Sequence, residues 1–182
     1  ILSGLMEVRA TAIEMNAPVI APEEYRDGES RFGRAVRKLE EDKLAEAESE
    51  ADEAHVFFRV AIITATKIRL LGPAQNALTE ARSLDAPDYV PISYQNAQSL
   101  VAEVSSSLDR GVEVTPELTG QARGAETEAQ HALYLVKRIN WLREERTNWE
   151  VLILEQEAQL KQAAALTGKT FDYMDSAGNI FE

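Results

Sequence analysis

The chain has 182 residues, 31 acidic against 19 basic side chains, a net charge of −12 and no cysteine. That length supports a domain with a real core, while the charge argues against nucleic acid and anionic membrane surfaces as main partners. Without cysteine, disulfides and thiolate metal sites are excluded. Recurrent alanine with few aromatics is the composition of long, closely packed helices. The most apolar run, residues 56–65, is interrupted by Arg59 and is too short to cross a bilayer. The chain opens Ile1-Leu2-Ser3 and reads as a processed or excised fragment, so the lack of a signal peptide locates nothing.

Residues 2–16 read as a short helix with Leu2, Leu5, Ala12 and Met15 apolar, stopped at Asn16-Ala17-Pro18 because proline disfavours helical geometry in the residue before it. A second helix starts near Pro22, with Glu23 and Glu24 at its positive end. Its stripe is Tyr25, Gly28, Phe32, Ala35 and Leu39. Glycine there weakens the helix by up to ~1 kcal/mol or marks close approach of a neighbour. After a break at Glu41-Asp42-Lys43, a third helix carries Leu44, Ala47, Ala51, Ala54, Phe58, Ala61, Ala65 and Ile68. The acidic residues Glu46, Glu48, Glu50, Asp52 and Glu53 read as a solvated face. Gly72-Pro73 is expected to kink or end this helix, with Ala74 to Leu84 as a further helical piece.

The chain then repeats itself. Ala17-Pro18-x-x-x-Pro22-x-x-Tyr25 recurs as Ala86-Pro87-x-x-x-Pro91-x-x-Tyr94, and the following stripe, Tyr94, Ala97, Val101, Val104 and Leu108, keeps the same offset. A two-residue insertion in the turn before Thr115-Pro116-Glu117, which reads as an N-cap and first turn, shifts the register. Beyond it, Ala47 to Leu71 map onto Leu118, Ala122, Ala125, Ala129, Ala132, Val136, Ile139 and Leu142, spaced alternately four and three apart. Two similar hairpins, 17–71 and 86–142, are therefore expected to pack as an antiparallel four-helix bundle. The last helix is expected to run on uninterrupted through an extension, 143–166, to a stop at Thr167-Gly168. From Pro116 to Leu166 such a helix would span roughly 75 Å at ~1.5 Å per residue. The fold is thus read as all-α, with a bundle over 1–168 and a tail or linker over 169–182 in which Phe171, Tyr173, Ile180 and Phe181 flank a turn.

Chemical signals are sparse. A carboxylate three residues before a histidine occurs twice, as Asp52/His55 and Glu128/His131, and such pairs serve as metal ligands in carboxylate bundles. Here both pairs sit beside the seam, the register does not superpose the histidines, and the other helices supply no inward glutamate. Surface or boundary histidines are the ordinary explanation, and no metal or other cofactor is expected. There is no Gly-x-Ser-x-Gly and no phosphate-cradling glycine loop, so the chain does not read as an enzyme. Trp149, on the continued seam, reads as a core or hairpin contact. The competing reading has the helix beyond Leu142 outrun the bundle and offer Trp149, Leu152 and Ile153 to a partner or a second copy.

Several segments together carry a family resemblance: the Ala-Pro-x-x-x-Pro-x-x-Tyr units, Phe57-Phe58-Arg59-Val60-Ala61-Ile62-Ile63, Ala129-Gln130-His131-Ala132-Leu133, Trp149-Glu150, and Leu166-Thr167-Gly168-Lys169-Thr170 with Asp175-Ser176-Ala177-Gly178-Asn179. Over nearly its whole length the chain resembles the alanine-rich helical module that precedes the peptidoglycan-binding domain in some OmpA-family envelope proteins of Gram-negative bacteria. The resemblance implies a periplasmic, outer-membrane-associated spacer or protein-interaction module without enzymatic activity. It implies peptidoglycan contact only through a following domain, and membrane contact only through a lipid anchor outside the chain. The alternatives are a metal-binding carboxylate/histidine bundle and a cytosolic coiled-coil scaffold.

Overall fold

In the computed structural model, which describes residues 2–111 and 113–166, eight helices follow one another and no strand is present among those residues. They are α1 (Leu2–Glu14), α2 (Ala17–Ile20), α3 (Pro22–Glu40), α4 (Leu44–Ser83), α5 (Ala86–Tyr89), α6 (Pro91–Asp109), α7 (Pro116–Glu144) and α8 (Thr147–Leu166). By packing, the chain divides into two compact units, Ile1–Tyr134 and Leu135–Glu182. The expected tail, 169–182, and the stop at Thr167-Gly168 lie outside the described residues.

The repeat seen in the sequence is a repeat of backbone geometry. Asn16 and Asp85, 69 positions apart, both adopt the left-handed conformation (φ 59°, ψ 27° and φ 63°, ψ 32°), which short polar side chains tolerate. Each is followed by one turn of helix, α2 or α5, and by a residue of matched conformation: Ala21 at φ −130°, ψ 61° and Val90 at φ −137°, ψ 50°. The proline after each, Pro22 or Pro91, opens the next helix where no intrahelical amide bond is lost. Both hairpin turns also reverse through a left-handed residue at one offset, Asp42 (φ 57°) and Gly111 (φ 76°). Thr115 caps α7 as expected, its hydroxyl accepting from the Leu118 amide at 3.1 Å.

The long element in the first unit is α4. It runs 40 residues, about 60 Å, through Gly72-Pro73; of the two outcomes expected there, a kink or an end, the end is not observed. Proline here removes one backbone bond but leaves those on either side intact, and the packed face continues past it: Leu71, Ala74, Ala77, Leu78 and Ala81 are buried. Ile68, assigned to the stripe by spacing, is 47% exposed, as is Leu44 at 62%.

This continuity alters how the hairpins pack. One core gathers Leu5 and Ala12 of α1, Ala17 and Ala21 around α2, Ala35 of α3, and Ala51, Ala54, Phe58, Ala61 and Ala65 of α4. Another joins Leu71 of α4 to Val104 and Leu108 of α6 and to Leu118 and Ala122 of α7. Neither of these two cores gathers all four hairpin helices. In the first, α1 and α3 pack on α4 over residues 51–65, while in the second α6 and α7 meet it at Leu71. The offset of 69 extends this pattern backward, since buried Leu5 and Ala12 of α1 correspond to buried Ala74 and Ala81 of α4. The last third of α4 thus matches α1 in the register of its buried positions. One helix, continuous through Gly72-Pro73, contributes to both described cores.

Alanine dominates the first core, which lets helix axes approach closely, while leucine and valine make up most of the second. The largest side chain of the first core is Phe58, fully buried, whose ring lies 5.4 Å from that of Tyr25 and directly against Gly28. Around this core, charges tie helix to helix. Arg9 of α1 grips Glu29 of α3 through Nε at 2.5 Å and Nη2 at 3.2 Å while lying over the Phe32 ring. Arg31 reaches Glu50 and Glu53, and Lys38 reaches Glu46 at 2.5 Å. Part of the acidic run on α4 is therefore neutralised by α3 and is not simply a solvated face.

Candidate functional site

Two features depart from the repeat, and each places side chains where the packing does not require them. The first lies in the first unit, where the α6–α7 turn carries its inserted residues. The equivalent α3–α4 turn is short and closes on itself through a Lys43–Glu41 ion pair at 2.8 Å. The longer turn instead brings Gly111, Glu113 and Val114 to an open cavity of about 530 Å³ shared with α1 and α4. Its walls are chiefly apolar, from Val8, Met15, Ile62, Ile63, Leu108 and Val114. The polar groups are His55, Arg59, Glu113 and two threonines, Thr11 and Thr66. The buried Thr66 hydroxyl already donates to the Ile62 carbonyl at 2.8 Å. Neither Arg59 nor Glu113 forms an ion pair among the described residues, whereas Lys67, one turn from the cavity, is held by Asp109 at 2.6 Å. The size falls in the range of small-molecule sites.

The second feature belongs to the second unit. The uninterrupted last helix is not observed: α7 ends at Glu144 and α8 begins at Thr147. The local chemistry accounts for the break. The Asn148 side-chain amide donates to the Trp141 carbonyl at 2.6 Å, satisfying an acceptor freed by the end of α7. The Asn148 and Trp149 amides turn back to the Glu145 and Arg146 carbonyls. Thr147-Asn148-Trp149-Glu150 has the spacing of a helix-start box, a signal the seam pattern had overridden. Arg138 then pairs with Glu155 and lies 4.2 Å over the Trp141 ring. In a straight helix residues 17 apart would be ~25 Å apart, so α8 folds back beside the end of α7. No side chain of α8 is buried. Trp149 and Ile153 stand 54% and 58% exposed, Leu152 is half-buried, and Leu160 is exposed as well. Trp149 is therefore not a core residue.

The carboxylate–histidine pairs remain separate. Glu128 and His131 form an exposed pair on α7 at 3.9 Å. His55 lines the cavity and, with Asp52, borders a shallow groove beside Gly4 and Leu5. Among the described residues no group of three or more histidine or carboxylate side chains is placed to hold a metal ion. No described helix is long and apolar enough to cross a membrane. In electrostatics the clearest perturbation lies elsewhere, at the α1–α3 contact. Burial pushes the Glu29 carboxyl up, but hydrogen bonds from Arg9 and Tyr25 outweigh it and hold it below the usual carboxylate range. Burial and that same carboxylate raise the Tyr25 hydroxyl. No protein-family model, curated protein or solved structure matches the chain.

Proposed function

We propose that this chain is a non-enzymatic helical spacer that carries a protein-docking arm. The observation behind the reading is α4, a single helix of 40 residues that contributes to two successive cores, one for each repeat. Repeats that share a helix hold length without a hinge, because bending at the junction would break backbone bonds and both neighbouring cores together. The docking arm is α8, whose exposed Trp149, Ile153 and Leu160 suit a protein partner. A periplasmic setting next to the outer membrane, with peptidoglycan contact left to a following domain, rests on the sequence resemblance alone. Spin labels at exposed positions 44 and 83 test the spacer. A narrow distance distribution near ~60 Å is expected for a continuous helix. A broad or two-peaked distribution would place a hinge at Gly72-Pro73 and remove the basis of the reading.

A further inference from the structure

We propose that the cavity between α1, α4 and the α6–α7 turn binds a small aliphatic carboxylate, with its chain against Ile62, Ile63 and Leu108 and its head at Arg59. Three observations converge on this. The cavity is present where the second repeat departs from the first: the inserted turn supplies Val114 and Glu113, and the shorter turn of the first repeat has no residues to do so. Its walls are apolar enough to desolvate an alkyl chain, at ~25 cal/mol for each Å² removed from water. Its charge is also unlike that of the molecule. In a chain of net charge −12, the lining sets Arg59 against Glu113 alone, and Arg59 has no ion-pair partner among the described residues. Arg69, likewise without one among the described residues, reaches the Met15 sulfur of the lining at 3.8 Å.

The geometry at Arg59 suits the role. Gly111, held at φ 76°, lies close to its guanidinium: a Cβ built there would sit 3.8 Å from Nη2. The turn therefore passes beside the fork without blocking it. A guanidinium offers paired donors matched to a carboxylate. The titratable groups facing the head are His55, Arg59 and Glu113. Glu113 opposes an anion, so it limits affinity and supplies an internal control.

The test is an NMR titration of the whole chain with octanoate, compared with octan-1-ol and octylammonium, following amide shifts through Thr66 and Gly111. Octanoate is expected to bind saturably, at one site, with the neutral alcohol weaker and the cation absent from the site. Arg59→Gln, at an exposed position, should weaken octanoate about tenfold or more, as expected when one charge-assisted pair is lost. Glu113→Gln should tighten it. Val114→Trp, which fills the mouth from an exposed position, should abolish it. Each variant keeps the buried core intact, so loss of binding is not loss of fold. Absence of saturable shifts, equal binding of the three head groups, or indifference to Arg59→Gln would overturn the proposal.

Discussion

Gly28 offers a sharp test of how the first repeat is packed. A Cβ added there would lie 2.7 Å from both Cδ1 and Cε1 of Phe58 and 3.1 Å from its Cγ. Phe58 is fully buried, with Tyr25 on one flank, so its ring cannot swing away. Overpacking of this kind costs ~1–3 kcal/mol, against a gain of ~1 kcal/mol from replacing a mid-helix glycine by alanine. Gly28→Ala should therefore be neutral to destabilising by up to ~2 kcal/mol. Gly33, on the same helix, has nothing within 4 Å of a built Cβ, and Gly33→Ala should stabilise by ~0.5–1 kcal/mol. The second repeat carries the complementary solution, with buried Ala97 at the register position of Gly28 and buried Ala129 at that of Phe58. Phe58→Ala alone should cost ~3–5 kcal/mol, and in that background Gly28→Ala should become favourable. Urea unfolding followed by circular dichroism on the four variants of the cycle measures the coupling. If Gly28→Ala stabilises the parent chain as much as Gly33→Ala does, the close approach of α3 to Phe58 is wrong.

Two further outcomes follow from the contacts described. Glu29 titrates below its unfolded value, so its contribution is present above a pH of about 4.3 and is lost as pH falls through the lower folded value. The stability difference between the parent and Glu29→Gln should be constant above about pH 5 and shrink in acid. With both partners about one-third exposed, that difference should not exceed ~1 kcal/mol, and a difference unchanged down to pH 3 would refute it. Asn148→Ala removes the amide that satisfies the Trp141 carbonyl, a local loss of ~0.5–1.5 kcal/mol. Hydrogen exchange should quicken in the first turns of α8 and leave α4 unchanged, and equal protection of residues 147–155 in both proteins would argue against the observed turn.

Much of this architecture was legible residue by residue. The alternating spacing from Ala47 to Ala65 and from Leu118 to Val136 marked the buried faces, because a helix face is a property of periodicity alone. The paired Ala-Pro units marked both helix starts, because proline and the residue before it act through local sterics. Three things were not legible. Gly72-Pro73 reads as a kink or an end, yet the helix continues, because packing at Leu71 and Ala74 outweighs one missing backbone bond. The seam after Leu142 reads as a continuous helix, yet Asn148 closes a turn onto the Trp141 carbonyl and Arg138 meets Glu155 across it. The cavity was foreshadowed only by a two-residue insertion, since its walls come from segments nearly a hundred positions apart. Sequence alone determined which faces are apolar and where helices begin, because those are set by neighbours within a turn or two. Which helices share a core, and which apolar faces stay uncovered, was decided by tertiary structure, because burial depends on partners that periodicity does not name.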